Sequence, residues 1–279
     1  MIRALVVVCG AAVLGAAPGL AQTDYIPPRA ADGHADIGGV WSNANAPATI
    51  EQTVDGALES EPFENPIEAH LPLRDRETAL AWREKYGIYM SGKPLPEFTL
   101  GPDSMPNRDR CLMAANAAAP PMTSQGYNDA YEIVQTPDHV VFGIEMMDEV
   151  RIVTVFASES EAVSAHGPQA LQRWTGDSVG WWEGDTFVVE TTNVSMRQGS
   201  QSPMPVSKDA KVVERFTRVE EDRLLYRAEV TDPALYVRPW TIRYRFHPTA
   251  RLWEYACHEG NYGMAGILSG EREAERRRK

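Results

Sequence analysis

Cysteine is scarce in this chain: there are three in 279 residues, and one of them, Cys9, lies in an N-terminal leader. So few thiols exclude a disulfide-dense scaffold and a four-cysteine zinc site. Basic charge is also short, with 27 Lys and Arg against 39 Asp and Glu and a net charge of -12. A surface of that sign lacks the basic footprint that nucleic acid requires and is not drawn to an anionic membrane. No His-x-x-x-His, Cys-x-x-Cys or His-Glu-x-x-His spacing occurs, so a metal would need ligands far apart in sequence, and none is expected. Phosphate loops and dinucleotide fingerprints are missing too, and no cofactor is expected.

What is present begins with the leader. Met1-Ile2-Arg3 gives a short basic start, Ala4 to Leu20 is apolar, and Gly19-Leu20-Ala21 supplies the small residues read by a signal peptidase. Cleavage is expected after Ala21, which makes the protein secreted or periplasmic with no integral membrane segment in the mature chain. In that oxidising compartment Cys111 and Cys257 can pair only with each other. Closing so long a loop is worth roughly 5 kcal/mol in the chain-entropy model. Two buried free thiols are the alternative.

Organisation after the leader falls into three stretches. Residues 22–123 are rich in proline and read as an arm wrapping over the body, with one short strand at Gly39-Val40-Trp41-Ser42 and one helix from Asp75 to Tyr86. Residues 124–262 read as eight strands: 138–145, 150–156, 179–183, 186–193, 211–219, 224–231, 240–247 and 252–258. Gly184-Asp185 marks a tight hairpin between the third and fourth. The short links suggest a mainly β fold, an antiparallel up-and-down barrel, because closure removes exposed sheet edges. Residues 263–279 read as a C-terminal helix whose acidic residues precede Arg276-Arg277-Arg278-Lys279, as the helix dipole favours.

Alternation sharpens two strands. Trp240, Ile242, Tyr244 and Phe246 share one face, opposite Thr241, Arg243, Arg245 and His247. In the last run Trp253, Tyr255 and Cys257 share a face, opposite Glu254 and His258. That run ends in Cys257-His258-Glu259-Gly260-Asn261-Tyr262, where five of six side chains can hydrogen-bond or titrate. His258 is the candidate general acid/base, since imidazole titrates near neutral pH. Glu145, Glu259 or Glu254 would assist it, although a continuous strand would turn His258 and Glu259 to opposite faces. Trp181, Trp182, Trp240 and Tyr262 offer flat surfaces for an apolar or aromatic ligand, with Asn261 and Arg151 as polar contacts. Each also has a plainer structural reading: core filler for the tryptophans, an ion pair for Arg151, a hydrogen-bonded rim residue for His258.

The run Gly176-Asp177-Ser178-Val179-Gly180-Trp181-Trp182-Glu183-Gly184-Asp185-Thr186-Phe187-Val188-Val189-Glu190-Thr191-Thr192-Asn193 resembles the signature of a secreted bacterial family of uncharacterised proteins. Glu214-Arg215-Phe216-Thr217-Arg218, Asp232-Pro233, Pro239-Trp240-Thr241 and the Ala256 to Tyr262 segment fit the same pattern. The resemblance covers most of 131–259 and implies no established activity. The hairpin order is also similar to lipocalin-like barrels, whose opening Gly-x-Trp is echoed by Gly39-Val40-Trp41. Two function classes follow. One is a cofactor-independent lyase, isomerase or hydrolase acting on a small organic molecule; the other is a periplasmic carrier of such a molecule. An envelope interaction protein is a third reading, and the sequence leaves the oligomeric state open.

Overall fold

The structure, a computed structural model, describes residues 25–44, 46, 49–54, 57–62, 71–74, 107–114, 116–195 and 204–278. The leader and the helix expected over 75–86 lie outside the described residues.

Eleven strands form one sheet: β1 (Gly39–Ser42), β2 (Thr49–Val54), β3 (Ala57–Pro62), β4 (Ala130–Gln135), β5 (His139–Ile144), β6 (Glu149–Val155), β7 (Asp177–Glu183), β8 (Thr186–Thr192), β9 (Lys211–Glu220), β10 (Arg223–Thr231) and β11 (Trp240–Pro248). The order runs β1-β4-β5-β6-β7-β8-β9-β10-β11, and β1 also pairs with β11, closing a 9-strand mixed barrel. β11 is shared along its length: Trp240–Arg243 pairs with β2 of the outlying β2–β3 hairpin, whereas His247 and Pro248 meet Ser42 and Trp41 of β1.

That sharing corrects the expected last strand. Residues 251–256 have no regular structure and 257–260 form a turn. The free side of β11 is already taken by β2 and β1, so the run after it has no edge to join. Trp253 is accordingly 60% exposed, with the Arg251 guanidinium 3.7 Å from its ring centroid. The meander is also interrupted once. β6 and β7 run parallel through only two pairs, Thr154↔Val179 and Val155↔Gly180, because the connection between them crosses over and carries helix α1 (Glu159–Ser164). The C-terminal helix, α2 (Tyr262–Arg278), forms as expected and buries none of its residues.

The inward row of β11 is the one alternation assigns: Trp240, Ile242, Tyr244 and Phe246 are all buried. Phe142 packs on Phe216 at 5.0 Å between centroids, Phe216 on Tyr226 at 5.1 Å, and Phe246 on both Tyr226 and Tyr131. The end of the proline-rich arm enters this interior instead of lying over it. Met113, Ala114, Ala117, Ala118, Ala119 and Met122 belong to the same buried cluster, and the Met122 N–H donates to the Tyr226 hydroxyl at 2.7 Å. Small alanines let the backbone come close to the barrel wall while the methionines fill the space beside it.

Two glycines of the 176–193 motif have packing reasons. Gly176 sits at φ +79, and a Cβ there would fall 2.5 Å from Thr191 Cγ2. At Gly180 a Cβ would lie 2.6 Å from Phe187 Cζ. This part of the signature therefore encodes how β7 lies on β8.

Candidate functional site

An open groove of about 960 Å³ lies where the disulfide gathers three loops. Cys111 and Cys257 are bonded, with Cα atoms 5.6 Å apart, which ties the 107–111 turn to the segment after β11. Asp148 Oδ1 accepts from the Tyr255 N–H at 3.1 Å and anchors the same segment from the other side. Gly260, at φ +70, turns the chain into α2. Asn261 then caps the helix, its Oδ1 accepting from the Met264 N–H at 3.4 Å, while its Nδ2 donates to the Asp109 carbonyl at 3.0 Å.

The groove wall carries Arg108, Tyr127, Asn128, Tyr255, Glu259 and Asn261, among others, with Met264 and Ile267 as its apolar part. Burial raises the Tyr255 phenol above its ordinary pKa, and its hydrogen bond with Tyr127 adds to the rise against the opposing Arg108 charge. Glu145, which is buried, stands behind the wall: it accepts from Asn128 Nδ2 at 2.7 Å and so holds one lining amide in place. Glu259 and Asn261 thus line one groove that Glu145 supports. His258 is exposed in the 257–260 turn and is not a lining residue. Tyr262, 82% exposed, begins α2 beyond the groove.

The other candidates lie elsewhere. Trp181 is buried outside the barrel with Ala162 of α1, Val179 and Val188. Trp182 stacks on His34 at 4.7 Å and 2° and tilts onto Phe187. Trp240 is buried edge-on to Tyr236. Arg151 is buried in a bidentate pair with Glu214: one contact is 3.1 Å, and Nη2 reaches the second carboxylate oxygen. Its Nε donates to Ser178 Oγ at 3.0 Å and its Nη2 to Thr191 Oγ1 at 2.8 Å. The Tyr226 hydroxyl donates to Glu214 at 2.9 Å while accepting from Met122, so the network links the barrel wall to the plug. Burial first, and then the Glu214 charge, push the Tyr226 phenol well above its ordinary pKa, keeping it a neutral donor.

Gly176-Asp177-Ser178-Val179-Gly180 has the Gly-x-Ser-x-Gly form of a serine-hydrolase elbow. Ser178 lies within a strand, however, not at a strand-to-helix turn, and its hydroxyl is engaged by Arg151 and Thr191 with no imidazole bonded to it. Asn128, Tyr127 and Arg108 of the groove carry no motif that would have singled them out. Glu214 and Tyr226 stood in strand runs with nothing to say that they meet Arg151.

Among the described residues no group of three or more His, Cys, Asp or Glu is placed to hold a metal, and no helix is long and apolar enough to cross a membrane. The fold and groove thus define a plugged, mixed β-barrel with a disulfide-stapled external groove. The chain matches no protein-family model, no curated protein and no solved structure.

Proposed function

We propose that the protein is a secreted, periplasmic binding protein that takes a small organic molecule in the stapled groove, not in the barrel. The observation that carries this reading is the contrast in occupancy: aromatic side chains and residues 113–114 and 116–122 fill the interior, while the groove stays open with polar groups fixed around it. Its volume falls in the range typical of small-molecule sites. Tyr127 and Tyr255 supply flat contact surface, Asn128 and Asn261 supply oriented amides, and Met264 and Ile267 cover an apolar portion of the ligand. The Cys111–Cys257 bond supports an oxidising compartment.

Native mass spectrometry of protein taken from its own periplasm tests the reading. A retained small molecule that Asn261→Ala or Tyr255→Ala variants no longer carry is the expected result. Retention that survives both substitutions would overturn it. Cofactor-independent acid/base chemistry on the same molecule is the second reading. It is favoured by the neighbouring Tyr127 and Tyr255 phenols facing the same groove as Glu259.

A further inference from the structure

His166 lies on the outer wall of the barrel, just after α1, far from the groove residues in sequence and in role. Its Nδ1 is 3.2 Å from Asp177 Oδ2 on β7 and 3.3 Å from Thr192 Oγ1 on β8. Its Nε2 is 3.5 Å from Glu190 Oε1, also on β8. The three side chains are only 12%, 13% and 7% exposed for His166, Asp177 and Glu190. A neutral imidazole has one N–H and one lone pair. A neutral ring protonated at Nε2 can accept from the Thr192 hydroxyl at Nδ1 but still turns a lone pair toward Asp177; the imidazolium sets a positive charge between the two carboxylates.

We propose that His166 is a proton-operated latch: its imidazolium pins the β6–β7 crossover to the barrel wall, and loss of the proton frees that crossover and opens the cleft it walls. The cleft, about 350 Å³, is lined by Val150, Ile152, Phe156, Arg173, Asp177 and Ser178 among others. Its outer side is the crossover itself, and its inner side is the half of β6 that does not pair with β7. The crossover has further ties: Gln169 Nε2 donates to the Lys208 carbonyl at 3.1 Å and to Asp209 Oδ1 at 2.7 Å. The Gly167 N–H donates to Asp177 Oδ2 at 2.7 Å, and Asn193 Nδ2 donates to the Gly167 carbonyl at 3.0 Å, so the corner beside His166 depends on the same Asp177. Ala162 of α1 rests on Val179, Trp181 and Val188, and main-chain bonds tie Arg173 to Asn193 and Ser195.

The surrounding charges fix the sign. Asp177 faces the imidazole from β7 and Glu190 from β8; Lys211 on β9 reaches Glu190 at 3.4 Å, and Arg173 of the crossover reaches Asp177 at 3.2 Å. Both cations are at least half exposed, so water and salt screen them more than the imidazolium between the carboxylates. Burial opposes charge on His166, but Glu190 and Asp177 outweigh it and its pKa is raised. The nearby His166 ring, whose Nε2 lies 3.5 Å from Oε1 without a formed hydrogen bond, is the first reason that the Glu190 pKa is lowered. The latch is therefore fully present below the ordinary imidazole value of 6.5 and is lost as pH rises through the raised folded value. At the acid end it weakens as pH falls through the lowered Glu190 value.

Hydrogen–deuterium exchange of the intact protein at pH 6 and pH 9, corrected for the intrinsic rate, tests this. Protection of residues 157–176 should fall severalfold between the two, with β9 and β10 unchanged. His166→Gln should remove that pH dependence, leaving protection low at both values. Glu190→Gln keeps the histidine but removes one carboxylate, and should move the transition to lower pH. Equal wild-type protection at both pH values, or an unaltered drop in His166→Gln, overturns the latch. If His166→Gln does not fold, the direction of the shift in Glu190→Gln decides, and an upward or absent shift overturns it.

Discussion

The barrel interior and the stapled groove are both polar in part, yet they treat polarity in opposite ways. Inside, Arg151 meets Glu214, Ser178 and Thr191, and Tyr226 closes the chain to Met122, so each side chain is engaged by protein. In the groove, no cation pairs with Glu254 or Glu259 among the described residues, and the phenols and amides border open space. A fully engaged network specifies one packing and has nothing left to offer a ligand. A lining with spare hydrogen-bonding capacity is where recognition is available. An arginine in a strand is therefore a poor guide to a binding site until its partner is known.

Three substitutions would sharpen or break that contrast. Arg151→Ala should have the largest effect on stability, since it leaves the Glu214 carboxylate buried and uncompensated, at a cost of about 3–5 kcal/mol. Chemical denaturation would read this as a lower midpoint, and a loss below 1 kcal/mol would show that the interior is wetter than its burial implies. Cys257→Ser should cost about 2–4 kcal/mol, the usual measured range and less than the chain-entropy figure for a sequence separation of 146, and should also loosen the groove. Thermal melts with and without reductant check it, because the variant should match the reduced wild type. Glu259→Gln should change stability by less than about 0.5 kcal/mol, as an exposed side chain with no ion pair among the described residues. Its effect should appear instead in ligand retention by native mass spectrometry; a large stability loss with unaltered retention would reverse the roles given to the two regions.

Much of the barrel is legible in the sequence because alternation is a local signal. The Trp240 to Phe246 row and the Gly184-Asp185 hairpin need only their own neighbours to be recognised. Pairing partners are a different matter, since they depend on which edge is vacant. The run at 252–258 has strand-like residues but finds β11 occupied, whereas four residues at Gly39–Ser42 find space on both sides and close the ring. The groove was half legible for the same reason. Glu259 and Asn261 stand out in a dense polar hexapeptide, but Asn128 and Tyr127 come from a loop that only the fold brings alongside. His166 has no periodic context at all, and its two carboxylates lie 11 and 24 residues further along the chain, on adjacent strands.

The ring of strands is sealed by joining one of its earliest segments to its last. β1 contributes residues 39–42 and must await residues 247 and 248 before its second side is covered. No part of the chain can complete the barrel by itself, and residues 116–122 have no enclosure to enter until the wall around Tyr226 exists. Assembly is then governed by contacts very distant in sequence, which makes folding slow and leaves β1 and β11 with open edges while it proceeds. A chain truncated before Trp240 should therefore collect as an aggregation-prone open sheet, not as a smaller barrel.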